Sequence, residues 1–211
     1  MLPPMRAIET DLLANAELYR EVVLRRIASA RESVLISTAN VKAMFVEVGG
    51  AFKSIVEVFN GLAARGVELR VLHAELPSRP FRAAFDKRKR LVRGGLDLKI
   101  CPRVHFKAVI VDNAWVYLGS ANLTGAGLGA KGDGKRNFEL GFVTEDFEVL
   151  DRTTALFEAV WSGAECGPCK LRALCPDPIG KADRPAARRV SPGKRRAQPL
   201  VQLGTARRLG A

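Results

Sequence analysis

The spacing of apolar residues predicts alternating helices and strands over the first three quarters of the chain. Apolar residues at helical spacing, with arginines between them, predict a helix over residues 14–30. A short β-branched run at 33–39 and alternating polar and apolar residues over 67–73 predict strands. The same criteria predict further helices over 52–65, 80–93 and 147–161, and further strands over 96–101, 104–112, 115–118 and 138–144.

This order of elements predicts the fold class. Strands that alternate with helices are typical of an α/β layered domain. The run over 96–118 holds strands without a helix between them, so we expect a mixed central β-sheet flanked by helices. This domain should span residues 1–162, followed by a cysteine-rich segment at 163–178 and a basic tail at 179–211.

The composition and net charge of the chain limit the classes of function that it can have. With 211 residues and 47% hydrophobic positions, the chain is too apolar for a disordered protein. Its net charge of +12 favours polyanionic partners, nucleic acid first and an anionic membrane surface second. Residues 177–211 carry nine Lys/Arg against two Asp and little apolar periodicity, which predicts a disordered tail able to hold nucleic acid by charge.

Apolar runs are too short for a signal-peptide core or a membrane span. We therefore expect a cytoplasmic protein. In a reducing compartment, its four cysteines should be thiols or metal ligands rather than disulfides.

The candidate chemistry lies in two neighbouring strands. His105 and Lys107 are two positions apart on a predicted strand and therefore face the same side. An imidazole can attack or transfer protons, and an ammonium group can hold developing negative charge. The next strand ends in Gly119-Ser120-Ala121-Asn122, which offers small hydrogen-bonding groups. Together these groups suit an anionic, phosphate-sized substrate.

The spacing of these residues resembles the signature of the phospholipase D superfamily: His-x-Lys, four residues, Asp, six residues, Gly-Ser-x-Asn. Here Asp112 follows Lys107 after four residues, and Gly119 follows Asp112 after six. Glu139 resembles the acidic residue that family members carry shortly after the motif. The resemblance implies a phospholipase D-like fold and a metal-independent phosphodiesterase.

The resemblance also implies a role for each matched residue. His105 would attack phosphorus and form a phosphohistidine, and Glu139 would orient it. Lys107 and Asn122 would bind the non-bridging oxygens with support from Ser120. Gly119 would keep the turn close to the substrate. Asp112, although part of the signature, would be more structural than chemical.

The chain carries one such motif, whereas the family's active site uses two. The other histidine, His73, has no lysine two residues later, so it cannot supply a second motif. Its ordinary interpretation is a strand-end histidine, and a role near the substrate is the alternative. A two-fold homodimer would bring two copies of His105 together, an arrangement that small single-motif bacterial nucleases resemble.

Basic residues around the motif favour a nucleic acid substrate. The predicted helix at 80–93 is rich in Lys and Arg, and Arg103 precedes His105 by two positions. The glycine-rich run at 125–134 lacks the helix that a nucleotide-binding loop needs after it. We expect instead a mobile loop whose Lys131, Lys135 and Arg136 bind phosphates.

These observations predict a nuclease, with an endonuclease favoured, that acts on DNA or RNA. Two alternatives remain open: a phospholipase D-type hydrolase of lipid or small phosphodiesters, and a catalytically idle nucleic-acid-binding module.

The cysteines form a separate motif. Cys166-x2-Cys169-x5-Cys175 resembles, in spacing alone, three ligands of the iron–sulfur staple in certain DNA-processing nucleases of unrelated fold. Cys101 is the candidate fourth ligand. Four thiolates suit zinc equally, and free thiols are the remaining alternative. We expect a structural Zn²⁺ or 4Fe-4S cluster that pins the last helix to the sheet, and no cofactor in catalysis.

Overall fold

The computed structural model describes residues 6–179. A seven-stranded sheet forms its centre, and a two-stranded hairpin lies beside it. The strands are β1 (Asp11–Ala14), β2 (Ser33–Thr38), β3 (Phe45–Val48), β4 (Ala51–Ser54), β5 (Glu68–His73), β6 (Asp97–Ile100), β7 (Lys107–Val111), β8 (Trp115–Gly119) and β9 (Leu140–Thr144). The α-helices are α1 (Ala16–Leu18), α2 (Ile55–Ala64), α3 (Arg79–Asp86) and α4 (Phe147–Ser162).

The main sheet is mixed, in the order β1-β9-β8-β7-β2-β5-β6. Strands β2, β5 and β6 are parallel because helical segments connect them. Strands β7, β8, β9 and β1 are antiparallel, and β7 also pairs antiparallel with β2. The predicted α/β fold with a mixed central sheet flanked by helices is therefore confirmed.

The two faces of the sheet bury different helices. On one face, α2 packs with the helical segment at 16–29, which continues α1 through a π-helical stretch (Tyr19–Arg26) and a 3-10 turn (Ile27–Ser29). On the other face, α4 covers β7 and β8 through Leu150 and Phe157. Because alternate residues of a strand face opposite sides, each central strand contributes to both cores.

The structure departs from several of the predicted elements. Strand β1 lies in a segment with no predicted element. The predicted helix at 52–65 begins only at Ile55, because Ser54 caps it: its hydroxyl accepts from Glu57 N–H at 3.2 Å, and the Glu57 carboxylate accepts from Ser54 N–H at 3.3 Å. The residues before this cap form the β3–β4 hairpin. The predicted helix at 80–93 divides into α3 and a π-helical turn (Leu91–Gly95).

The predicted basic tail at 179–211 lies almost wholly outside the described residues. Within residues 6–179, no helix has both the length and the apolar character that crossing a membrane requires.

Candidate active site

The motif residues meet at one end of the central sheet. Strand β7 starts there, directly between the end of β2 and the end of β8: Ser37 pairs with Ala108, and Lys107 pairs with Gly119. Glu139 immediately precedes β9, whose first residues pair with the end of β8. The pairing of the strands therefore gathers His105, Lys107, Ser120, Asn122 and Glu139 at this end.

His105 and Lys107 form the centre of the site. His105 is exposed and lies in the segment that leads into β7, not in the strand itself. The Lys107 Nζ atom lies 3.4 Å from His105 Nδ1 and donates to the His105 carbonyl at 2.7 Å. The next carbonyl, of Phe106, accepts from the Ser37 hydroxyl at 3.0 Å, which ties this segment to β2. The ammonium group thus occupies the Nδ1 side of the ring, and Nε2 is the nitrogen available to a substrate.

The amide of Asn122 is held by the end of β2. Its Oδ1 accepts from the backbone N–H groups of Ala39 at 3.0 Å and Asn40 at 3.2 Å, and lies 3.2 Å from the Thr38 hydroxyl. Because these partners occupy the oxygen, they fix the orientation of the amide and leave its NH₂ group to donate elsewhere. Such an amide can bind a phosphate oxygen.

Ser120 and Glu139 form a hydrogen-bonded pair beside this amide. The Ser120 hydroxyl donates to the Glu139 carboxylate and also accepts from Leu140 N–H at 3.1 Å. Asn137 Nδ2 donates to the other carboxylate oxygen at 3.0 Å. In residues 6–179, the hydrogen bonds to the Glu139 carboxylate thus come from Ser120 and Asn137. Orientation of His105 by Glu139 stays a prediction.

Packing requires a glycine at position 119. A Cβ there would lie 2.3 Å from the Tyr117 hydroxyl oxygen and 2.7 Å from the Leu140 carbonyl oxygen. The buried Tyr117 also accepts a hydrogen bond from Ala121 N–H at 3.3 Å, and burial raises the pKa of its phenol to about 12. Gly119 therefore makes room for the tyrosine that supports the turn, and its closeness to a substrate stays a prediction.

Asp112, a predicted site residue, lies at the opposite end of β7. At ~3.3 Å per residue, about 16 Å of strand separates it from Lys107. Its carboxylate accepts backbone N–H bonds from Arg31, Glu32 and Ser33 at 2.8–3.1 Å. Burial would raise the pKa of Asp112, but these hydrogen bonds outweigh it and lower the pKa. Asp112 therefore holds the start of β2 and lies far from His105 and Lys107.

The predicted phosphate-binding residues lie in two different places. Lys131 and Lys135 are exposed on the loop that leaves the site at Ser120 and returns at Glu139, while Arg136 of the same loop is ion-paired with Asp133. Arg103, in contrast, forms a side-chain hydrogen bond with Cys169, which raises the pKa of the guanidinium. Contact of Arg103 with a substrate stays a prediction. The hydrogen bond to Cys169 does not favour it, because it already engages the guanidinium group.

The second histidine is buried within the sheet. His73 ends β5, is 3% exposed, and its Nδ1 lies 2.8 Å from the Glu75 carbonyl oxygen. Burial lowers the pKa of its imidazole, so the neutral form is favoured at neutral pH. A buried, neutral imidazole is poorly suited to protonate a leaving group.

Sequence reasoning missed Thr38 and Asn137, the residues that hold Asn122 and Glu139. Thr38 is 1% exposed, and its hydroxyl also accepts from Leu123 N–H at 3.0 Å. No sequence signal identified Thr38, because it contacts Asn122 only through the pairing of β2 with β7. Asn137 lies two residues before Glu139, and that proximity was the one signal that could have pointed to it.

Comparisons with known proteins find one matching family model and several similar folds. Residues 23–161 match the family model described as cardiolipin synthase, PLD-like domain. Nuc, a phospholipase D family member from Salmonella typhimurium, has a similar fold: the TM-score is 0.53 at 21% identity, over 72% of this chain and 95% of that chain. NucT from Helicobacter pylori is similar at a TM-score of 0.51 and 18% identity, with the same coverage.

A third similar fold is that of TrmBL2, an archaeal chromatin protein with a novel mode of DNA binding. Its TM-score is 0.50 at 15% identity, over 72% of this chain and 52% of that chain. No curated protein sequence matches the chain.

Proposed function

We propose, because the chain belongs to the phospholipase D superfamily of phosphodiesterases, that it is a nuclease that cleaves DNA or RNA through a phosphohistidine. The observation that carries this proposal is the contact between the Lys107 ammonium group and the His105 ring, 3.4 Å apart on an exposed edge of the sheet. A nucleophile and a cation at this separation can engage one phosphodiester together.

The first step is the transfer of the phosphoryl group to His105. With its proton on Nδ1, the His105 ring attacks phosphorus through the Nε2 lone pair, the N–P bond forms, and the bond from phosphorus to the leaving oxygen breaks. In this tautomer the Lys107 ammonium group donates to the His105 carbonyl and to the substrate rather than to Nδ1. Lys107 and the NH₂ group of Asn122 stabilise the negative charge on the non-bridging oxygens. These groups supply positive charge and hydrogen bonds without a divalent ion, so we propose that catalysis is metal-independent.

The leaving oxygen needs a proton, and the second step needs a base. His73 is too deeply buried to supply either. We propose that His105 of a second copy protonates the leaving oxygen and then deprotonates the water that attacks phosphorus and breaks the N–P bond. The active form is therefore a homodimer with one shared site.

Exposed apolar side chains next to the site support such a dimer. Phe138 precedes Glu139 and is 96% exposed, and Leu140 and Leu12 are also exposed on the neighbouring strands β9 and β1. The strand register places Leu12 and Leu140 on the same face of the sheet, because Leu12 pairs with Phe142 and Ala14 pairs with Leu140. Exposed apolar side chains grouped on one face in this way are typical of protein–protein contacts.

Charge favours nucleic acid over a single lipid head group. Lys131 and Lys135 are exposed on the loop at the site, and the whole chain carries a net charge of +12. Contacts with successive phosphates of a polymer use several such cations together. Backbone contacts of this kind carry little sequence information, so we expect weak sequence specificity.

The test is cleavage of plasmid and of RNA with excess EDTA added together with the substrate, so that exchangeable divalent ions are removed. We expect the wild-type protein to cleave at least one of them and His105→Ala to lose the activity while its far-UV circular dichroism is unchanged. An acid-labile labelled protein adduct, trapped from a 5′- or 3′-labelled substrate, should be absent from the variant. Cleavage by His105→Ala would contradict the mechanism.

Two further measurements on the same protein distinguish the alternative functions. Release of a head group from phospholipid vesicles, with nucleic acid intact, would favour the lipid hydrolase. Binding of nucleic acid without turnover of any phosphodiester would favour the idle binding module.

A further inference from the structure

All four cysteines of the chain line one cavity, although they come from distant parts of the sequence. Cys101 follows β6, whereas the other three lie in the segment after α4. The cavity has a volume of about 30 Å³, which is room for one or two water-sized spheres. Folding therefore brings all four cysteines to the wall of one cavity.

We propose that Cys101, Cys166, Cys169 and Cys175 bind one structural Zn²⁺. Four thiolates in tetrahedral coordination, two of them in a Cys-x2-Cys unit, are typical of structural zinc sites. Tight turns bend the backbone through these residues: Cys169 N–H donates to the Cys166 carbonyl at 3.4 Å, and Arg172 N–H donates to the Cys169 carbonyl at 3.0 Å. The small cavity suits one ion better than a four-iron cluster.

Positive side chains around the cavity complement such a site. A Zn²⁺ ion with four thiolates has a net charge of −2, which must be compensated where the site is partly buried. Three cations, Lys99, Arg103 and Arg172, line the same cavity, together with two carboxylates, Glu165 and Asp177. Arg103 bonds to the Cys169 side chain, and Arg172 Nη1 donates to the Cys166 carbonyl at 3.1 Å. The cations outnumber the carboxylates on this cavity and would offset part of the negative charge of a four-thiolate site.

The four thiols do not surround a common metal position in this structure. In residues 6–179 as they stand, no group of three or more His, Cys, Asp or Glu side chains could hold a metal ion. Burial raises the pKa of Cys101, and the nearby thiols of the other three cysteines raise it further. Without zinc, the neutral thiol of Cys101 is therefore favoured. Binding requires the side chains to turn towards the cavity by rotation about Cα–Cβ, and it releases the four thiol protons as the four Zn–S bonds form.

The position of Cys101, shortly before His105, gives the zinc ion a structural role. Cys101 begins the turn closed by the Val104 N–H bond to the Cys101 carbonyl at 2.9 Å, and His105 follows that turn directly. Since His105 lies outside β7, this turn and the Ser37–Phe106 bond hold it from either side. Zinc would join the turn to the segment that follows α4 and so anchor the loop that carries His105.

The first test measures zinc in the purified full-length protein by elemental analysis, together with its visible spectrum. We expect one zinc per chain and no iron. Replacement of zinc by Co²⁺ should produce the intense visible absorption of tetrahedral thiolate coordination. Cys101→Ser and Cys175→Ser should each lower the zinc content at least fivefold and lower the melting temperature. Lys170→Ala, an exposed change in the same segment, should keep both unchanged.

The outcomes separate this site from the proposed function, because zinc content is measured without any substrate. Chains without zinc, or Cys101→Ser with full zinc, would overturn the site whether or not the protein cleaves nucleic acid. Iron with a visible chromophore would overturn the assignment to a single zinc ion. If Cys101→Ser does not fold, Co²⁺ titration of the wild-type protein still decides the question through its absorption.

Discussion

The hydroxyl of Thr38 lies 3.2 Å from Oδ1 of Asn122, at the point where the end of β2 meets the turn after β8. The same oxygen atom of Thr38 accepts from Leu123 N–H at 3.0 Å. A buried residue of one strand thereby fixes the amide that we propose binds phosphate. Thr38 acts through Asn122, so it is a positioning residue.

Replacing Thr38 by Val should therefore impair turnover more than binding. Loss of the contact with Asn122 corresponds to about 1 kcal/mol, or a roughly five- to tenfold lower kcat, with KM little changed. The variant also removes the acceptor of Leu123 N–H, which lowers stability. The measurement is steady-state cleavage of a short oligonucleotide, with thermal unfolding alongside. Thr153→Val removes a comparable buried hydroxyl, bonded to the Val149 carbonyl on α4, and should leave kcat unchanged. Equal kcat values in both variants would show that Thr38 is merely structural.

The loop cations should govern the salt dependence of binding. Each Lys–phosphate contact releases counterions, so Lys131→Ala combined with Lys135→Ala should lower the slope of log K against log salt by about two on duplex DNA. Binding is measured by fluorescence anisotropy with His105→Ala as the background, to prevent cleavage. Lys53→Ala, an exposed change on β4, is the matched control. A slope that does not change in the double variant would place the nucleic acid elsewhere.

Disruption of the apolar surface should separate the two copies. Phe138→Asp places a charge at a side chain that is 96% exposed in the single chain, and burial of that charge in a dimer would be costly. We expect a monomer by light scattering and at least a hundredfold lower cleavage. Phe52→Asp, the same change at an exposed residue of β4, should remain dimeric and active. A wild-type monomer that cleaves at full rate would exclude the shared site.

Asp112 should contribute to stability rather than to cleavage. Removal of its carboxylate by Asp112→Ala leaves the N–H groups of Arg31, Glu32 and Ser33 without this acceptor, at a cost of about 2 kcal/mol. Denaturant unfolding measures the loss, and Asp86→Ala, an exposed carboxylate on α3, is the control. Cleavage by the folded fraction should be normal, and a selective loss of kcat would contradict this assignment.

The same carboxylate predicts a pH dependence. Its pKa is lower in the folded than in the unfolded chain, so its contribution is present above the unfolded pKa of about 3.9. That contribution is lost as the pH falls through the folded pKa. The difference in unfolding free energy between wild type and Asp112→Ala should therefore shrink under acid conditions. A constant difference from pH 7 to pH 3 would contradict the linkage.

Local pattern was sufficient to predict the layered fold, and it gave the candidate residues of the site. The period of two predicted that His105 and Lys107 share a side, although His105 lies just before β7 rather than in it. The signature spacing pointed to Ser120 and Asn122, and Glu139 came from its resemblance to the acidic residue that follows the motif. The contact between His105 and Lys107, and the gathering of the other residues at the same end of the sheet, agree with that reading. The catalytic roles of these residues stay predictions for the experiments above.

Local pattern was insufficient wherever a role depends on pairing between distant segments. Asp112 belongs to the signature, yet the length of β7 carries it to the far end of the sheet, where it binds the start of β2. Thr38 carries no local signal, but it contacts Asn122 because β2 lies beside β7. Arg103 precedes His105, yet its side chain bonds to Cys169, a residue from beyond α4.

The residue types and their spacing thus determine which chemical groups the chain has and which strand face carries them. Strand order, register and the packing of α4 then determine which of those groups meet. The physical reason is that strand period and helix spacing are local properties, whereas strand pairing and the burial of apolar faces depend on surfaces that approach only in the folded molecule. The four cysteines illustrate this difference. Their number and spacing are evident from the sequence, whereas the cavity that they share exists only in the folded molecule.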